Sequence, residues 1–123
     1  MGADSSTDKP QGLRRILLAF GHTARGLRGA WHSEAAFRQE VVLAAVLIPL
    51  ALFIGESDIE RALLVSSVIL VLIVELLNTA IEKTIDRIGH ERHALSGFAK
   101  DLGSAAVFCS FLLLIVVWGL LLL

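Results

Sequence analysis

Three runs of apolar residues, 41–54, 62–81 and 103–123, constrain this chain more than any other feature of its sequence. The second run contains a single charged residue, Glu75, and the third contains none. A helix needs about 20 residues to cross a hydrocarbon core of ~30 Å, and a helix that begins near Glu34 makes the first run long enough as well. The sequence therefore predicts an all-α membrane protein with three transmembrane helices, at about 34–54, 62–84 and 102–123.

The overall composition bounds the class of protein. The chain has 123 residues, of which 55% are hydrophobic, and its formal net charge is −1. This net charge and the lack of a basic domain argue against nucleic-acid binding, so we expect no nucleic-acid partner. We expect one domain over 1–123, with the polar residues 1–10 disordered.

Positive charges are distributed unevenly among the segments that flank the three runs. Six lysines and arginines precede the first run and four lie between residues 82 and 101, whereas the segment between the first two runs holds only Arg61. Cytoplasmic segments of membrane proteins carry the excess of Lys and Arg. The N-terminus and the second loop are therefore predicted to lie in the cytoplasm.

The segment before the first run has a helical pattern of its own. Seven of its apolar residues fall within roughly 100° on a helical wheel, and Arg14, Arg15, His22 and Arg25 take the other side. The seven are Leu13, Ile16, Leu17, Phe20, Ala24, Leu27 and Trp31. Such a pattern is typical of a helix that lies in the membrane interface. We predict an amphipathic surface helix over 11–32.

A polar stripe ends the second apolar run, formed by Glu75, Asn78, Glu82 and Asp86. At ~100° per residue these four side chains fall within roughly 80° of one another on one helix face. An ionisable residue within the bilayer costs about 2.5 to 3.5 kcal/mol on insertion scales, so such residues usually mark a functional site. Carboxylate and amide oxygens at this spacing suit divalent cations and phosphate groups.

Two other interpretations of the stripe stay open from the residues alone. Carboxylates on a membrane helix also occur in polar networks that fix the register of an oligomer, and in ion or proton pathways. Neither accounts for the continuation of the stripe into a cytoplasmic segment rich in Lys, His and Asp.

For several residues near the helix ends, a local role in helix capping or charge pairing explains the residue type as well as a functional role does. Ser33 can cap the first span, with Glu34 in its first turn, where a negative charge complements the helix dipole. Asp101 can cap the third span while Lys100 extends toward the interface, or Lys100 can hold phosphate oxygens. For Asp86, we expect an ion pair with a neighbour such as Arg87 or Lys83.

Taken together, three segments of this chain resemble the small bacterial diacylglycerol kinases, and the resemblance covers essentially the whole chain. They are Trp31-x-x-Glu34-Ala-Ala-Phe-Arg-Gln-Glu40, Glu75-Leu-Leu-Asn-Thr-Ala-Ile-Glu82 with Asp86-Arg-Ile-Gly89, and Leu95-Ser-Gly-x-Ala-Lys-Asp-x-Gly-Ser-Ala-Ala106. The resemblance implies a homotrimer in the bacterial inner (cytoplasmic) membrane that transfers the γ-phosphoryl group of MgATP to diacylglycerol. The related undecaprenol kinases are the alternative within the family.

The resemblance also implies roles for individual residues. Glu75 would be the catalytic base beside Asn78, and Glu34 and Glu82 would hold Mg²⁺ on ATP. The expected nucleotide contacts are Arg15, His22, Glu34, Glu82, Glu91, Arg92, His93, Lys100 and Asp101. The expected lipid contacts are Arg15, Arg28, Trp31, Ala36, Arg38, Glu40, Glu75 and Ser104. Family sites are shared between subunits, so Glu34 and Lys100 would serve a stripe on a neighbouring chain.

Overall fold

The structure, a computed structural model, describes residues 11–123, which form four α-helices and no strand. The helices are α1 (Gly12–Ser33), α2 (Ala35–Ile54), α3 (Asp58–Ile88) and α4 (Ala94–Leu122). Helices α2, α3 and α4 are each long and apolar enough to cross a membrane. The all-α class and the three candidate spans are therefore confirmed, and the expectation of disorder in 1–10 lies outside the described residues.

Helix α3 is longer than the apolar run from which it was predicted. Its 31 residues extend about 46 Å at 1.5 Å per residue, which exceeds a hydrocarbon core of ~30 Å. Ser57 is its N-cap, and the Ser57 hydroxyl accepts a hydrogen bond of 3.1 Å from the amide of Glu60. The polar residues before the apolar run are therefore helical, because the cap at Ser57 and not the hydropathy of the sequence determines where α3 begins.

Helix α4 also begins earlier than predicted. Its N-cap is His93, whose ring Nδ1 accepts a hydrogen bond of 3.1 Å from the Leu95 amide. The expectation that Asp101 caps this helix is therefore wrong, because Asp101 lies within α4. The Ser96–Gly97 pair, which reads as a loop in the sequence, lies in its first turns.

The cap of α2 also differs from the prediction. Ser33 is the last residue of α1, and Glu34 is the N-cap of α2, with φ −120° and no hydrogen bond from its own side chain to the helix amides. The carboxylate of Glu34 is instead available for contacts outside its own helix.

Contacts within the chain define two compact units, one ending at Ser33 and one comprising Glu34–Leu123. The first contains α1. In the second, α3 packs against both α2 and α4. A core cluster of Ala44, Val68, Val71 and Leu114 joins these three helices.

Two polar contacts fix the helices of the second unit at the end opposite the α3–α4 loop. The Trp118 indole N–H on α4 reaches Ser67 Oγ at 3.1 Å and the Leu64 carbonyl oxygen at 3.3 Å, both on α3. Near the α2–α3 turn, Arg61 donates to the Leu52 carbonyl at 3.2 Å and to Asp58 Oδ1 at 3.1 Å. Both contacts hold the register of α3 against its neighbours.

Most large apolar side chains of α2 to α4 remain exposed in the single chain. Phe53 is 86% exposed and Leu120 is 79% exposed. Apolar surface of this extent suits lipid or other membrane helices rather than water.

Candidate active site

The inner end of the polar stripe is buried on α3. Glu75 is 6% exposed and Asn78 is 9% exposed. They continue the buried face of Leu64, Val68 and Val71, because residues three and four apart share one face of a helix. The fold therefore carries two polar side chains into the packed interior of a membrane helix bundle.

Glu75 meets a second carboxyl group, that of Glu40 on α2. Glu40 is 8% exposed, and its carboxyl group lies close enough to that of Glu75 for the two to interact electrostatically. Two carboxyl groups in such contact attract each other when one carries a proton and repel each other when both are ionised. The two carboxyl groups therefore share a nearly dry environment in which the charge of one affects the other.

Three buried oxygen atoms around this pair have no hydrogen-bond partner among the described residues. They are Glu40 Oε1, Asn78 Oδ1 and Thr79 Oγ1. Thr84, one turn further along the same helix, instead donates its hydroxyl to the Ala80 carbonyl at 2.7 Å. Since buried polar atoms are normally paired, a cluster of unpaired ones indicates a place where a ligand or water completes the bonding.

The outer end of the stripe is more accessible and is lined by ion pairs. Lys83 Nζ lies 3.4 Å from Glu34 Oε2, and Lys100 Nζ lies 2.9 Å from Asp86 Oδ1. The expected pairing of Asp86 with Arg87 or Lys83 is wrong, because the register of α4 against α3 brings Lys100 to it. Glu34 is thereby placed beside the residue that follows Glu82 in the sequence.

A cavity of about 500 Å³ opens at the α3–α4 loop, next to the Lys100–Asp86 pair. Four of the residues expected to contact nucleotide line it, namely Glu91, Arg92, His93 and Lys100. Asp101 is exposed on α4 and is not among the lining residues. A short loop and the first turns of α4 thus gather polar and charged groups at one end of the second unit.

The other predicted contact residues are distributed over α1 and the starts of α2 and α4. Arg15, His22, Arg28 and Trp31 are exposed on α1, where Arg25 Nη2 lies 2.6 Å from His22 Nδ1. Ala36 is exposed and Arg38 is half-buried on α2, and Ser104 is exposed on α4.

The donor set can be compared with the needs of Mg²⁺. Among residues 11–123 there is no group of three or more His, Cys, Asp or Glu side chains that could hold a metal ion. Mg²⁺ bound to nucleotide needs only one or two protein carboxylates, because phosphate and water oxygens complete its octahedron. Glu34 lies beside Lys83, the residue that follows Glu82, so Glu34 and Glu82 are the candidate carboxylates for such a ligand set.

Two contributors to this site are not evident in the sequence. Lys83 pairs with Glu34, and Gly103 packs against Asn78. The charge of Lys83 and the small size of Gly103 are visible in the sequence, but their partners depend on how the helices are aligned.

Comparisons with known proteins agree with the resemblance. The family model for prokaryotic diacylglycerol kinase matches residues 21–122. A diacylglycerol kinase of Haemophilus influenzae is 50% identical over 111 residues, which cover 90% of this chain and 94% of that protein. The diacylglycerol kinase of Escherichia coli K12 is 50% identical over 90% of this chain and 91% of its own length. That of Pseudomonas aeruginosa is 52% identical, with 91% of each chain covered.

Proposed function

This chain belongs to the prokaryotic diacylglycerol kinase family, and we propose that it transfers the γ-phosphoryl group of MgATP to the hydroxyl of diacylglycerol, giving phosphatidic acid and ADP. The observation that carries the proposal is the stripe itself, which runs from a buried carboxyl pair to a cavity lined by charged side chains. A lipid hydroxyl and a nucleotide phosphate must meet, and one helix face connects the two environments.

Glu75 is the proposed catalytic base. The hydroxyl oxygen of diacylglycerol attacks the γ-phosphorus, the bond from that phosphorus to the bridging oxygen of ADP breaks, and the hydroxyl proton passes to Glu75. Its burial within a span supports the proposal, because a lipid hydroxyl is presented there. A positioned base contributes typically 10²- to 10⁴-fold to such a rate. Asn78, one turn away, orders the same polar cluster.

Glu34 and Glu82 are the proposed ligands of Mg²⁺. Held by these carboxylates, the ion would supply positive charge that neutralises the nucleotide phosphates. The contact of Glu34 with the Lys83 ammonium supports this assignment, because it indicates that this carboxylate attracts a cation. Lys83 is 62% exposed and can move aside at little cost.

The cavity at the α3–α4 loop is proposed to receive the nucleotide. Lys100 and Arg92 supply positive charge for phosphate oxygens, and Glu91 and His93 line the same space. We extend the nucleotide contacts to Arg15, His22 and Asp101 on the basis of the family resemblance.

Residues of all four helices are proposed to contact the lipid headgroup. The contacts we assign to it are Arg15, Arg28, Trp31, Ala36, Arg38, Glu40, Glu75 and Ser104. The exposed apolar side chains of α1, such as Leu13 and Phe20, support its proposed role as an amphipathic helix at the membrane interface.

The working unit is proposed to be a homotrimer with sites shared between subunits. Within the chain, only 11% of the most apolar part of α4 is buried. The rest of this surface is available for packing against neighbouring subunits. We propose that the chain is one kinase domain in the bacterial inner membrane. The N-terminus and the α3–α4 loop are proposed to lie in the cytoplasm.

The proposal is tested with purified protein, ATP labelled on the γ-phosphate, and detergent micelles that contain either diacylglycerol or undecaprenol. We expect labelled phosphatidic acid from the first lipid. Label on undecaprenol alone would assign the other substrate class, and no labelled lipid from either would contradict the kinase reaction.

A further inference from the structure

Gly103 on α4 packs directly against Asn78 of the polar stripe. A Cβ atom added at Gly103 would overlap Asn78 Oδ1 and lie 3.2 Å from Asn78 Cγ. Gly103 is itself buried, and Asn78 is 9% exposed. The Asn78 amide therefore occupies the space that any other residue at position 103 would fill.

No hydrogen bond within the described residues accounts for the placement of this amide. Asn78 Oδ1 is buried without a hydrogen-bond partner. The shape of the α3–α4 contact, rather than a polar partner in the chain, holds the group against the α4 backbone. A Cα–H group of glycine facing a carbonyl oxygen adds at most a weak attraction.

The other glycines within α4 do not share this feature. A Cβ atom at Gly97 or Gly119 would meet nothing within 4 Å. Glycine inside a helix is less favourable than alanine by about 1 kcal/mol. Of the three glycines in α4, Gly103 alone offers a contact in the chain that requires the missing side chain.

We propose that Gly103 is a positioning residue of the phosphoryl-transfer site, which acts by leaving room for the Asn78 amide beside Glu75. This inference rests on the proposed function, in which Glu75 takes the proton of the lipid hydroxyl and Asn78 orders the cluster around it. Glu75 lies one turn from Asn78 on the same buried face of α3. If a side chain at position 103 displaces the Asn78 amide, the amide moves away from the polar cluster around Glu75.

A methyl group at position 103 acts on the amide rather than on the helix packing. The atoms that it meets first belong to the end of the Asn78 side chain, which can turn to another rotamer at little cost. The helices then stay packed while the amide moves. The expected signature is a loss of turnover without a loss of assembly.

The test compares Gly103→Ala with the matched control Gly119→Ala in the purified full-length protein. We expect Gly103→Ala to lower kcat at least tenfold, with KM for ATP, oligomer size and melting temperature close to those of the parent protein. Gly119→Ala is expected to keep the parent kcat. A loss of assembly and of melting temperature that Asn78→Ala does not restore would show a purely structural role and would overturn the proposal.

A double-mutant cycle with Asn78→Ala identifies the partner. If Gly103 acts through Asn78, then Gly103→Ala causes no further loss of kcat in the Asn78→Ala protein. Equal fold-losses in both backgrounds, or a parent-like kcat for Gly103→Ala alone, would overturn the proposal. Should Gly103→Ala fail to assemble, Asn78→Ala is expected to restore assembly, because it removes the overlapping atoms; failure to restore it would also count against the contact.

The cycle separates this inference from the proposed function. Absence of lipid phosphorylation by the parent protein defeats the proposed function. An active parent with an equally active Gly103→Ala variant defeats only the positioning role.

Discussion

The Lys100 ammonium on α4 donates a hydrogen bond of 2.9 Å to Asp86 Oδ1 on α3. Both residues line the cavity at the α3–α4 loop. The pair holds the long lysine side chain at the wall of the proposed nucleotide site, so that less rotamer freedom is lost when phosphate binds.

Replacing Lys100 is predicted to weaken ATP binding. Lys100→Met should raise KM for ATP by about tenfold or more, since a hydrogen bond to a charged group contributes about 1.5 to 3 kcal/mol. Asp86→Asn should change it by less, because Asp86 only holds the lysine in place. Titration of ATP at saturating lipid measures both, with Lys100→Arg as the variant that keeps the charge. An unchanged KM in Lys100→Met would exclude a nucleotide contact.

The Trp118–Ser67 contact is predicted to stabilise the bundle without taking part in catalysis. Trp118→Phe keeps most of the apolar volume and removes the donor to Ser67 Oγ. Hydrogen bonds between membrane helices contribute about 0.6 kcal/mol on average and up to ~1.7. We expect a lower melting temperature in detergent and a parent-like kcat, and we expect Ser67→Ala to add little further loss. Full additivity of the two changes would show that they do not interact.

Glu82 is predicted to set the requirement for Mg²⁺. Glu82→Gln removes an anionic ligand, so the Mg²⁺ concentration needed for half-maximal turnover should rise. Glu56→Gln, an exposed change in the α2–α3 turn, is the matched control and should leave that concentration unchanged. The same Mg²⁺ dependence in both variants would argue against a ligand role for Glu82.

The spans and the buried end of the stripe could be predicted because they depend on periodicity within one segment. Glu75 and Asn78 share a face at a spacing of three residues, whichever helix packs there. The caps could not be predicted as readily. His93 and Glu34 precede their helices with an extended backbone. Asp is a more frequent N-cap residue than His or Glu, so residue type alone favours Asp101.

The pairings across helices depend on register, which the spacing within one helix does not determine. Asp86 meets Lys100 because α3 and α4 run antiparallel from a short loop. The sequence shows that Gly103 is small but does not show which residue it packs against. In the structure it faces Asn78 of its own chain.

The contact of Glu40 with Glu75 predicts different outcomes for two substitutions of Glu40. Glu40→Gln keeps an N–H donor for the Glu75 carboxylate and should retain kcat within about tenfold, because one uncharged donor replaces another. Glu40→Leu leaves Glu75 without that donor and should lose considerably more. Rates of phosphatidic acid formation measure the difference, and equal losses would show that the hydrogen bond to Glu75 is not what Glu40 provides.

The most direct test of the whole account is the rate of phosphatidic acid formation by Glu75→Gln, measured beside the control Glu56→Gln. The amide keeps the size of the side chain and cannot accept the proton as a carboxylate does. We predict an assembled oligomer that binds MgATP and turns over at least ~10²-fold more slowly than the control, in line with the contribution of a general base. Turnover near that of the control would contradict the assignment of Glu75 as the catalytic base.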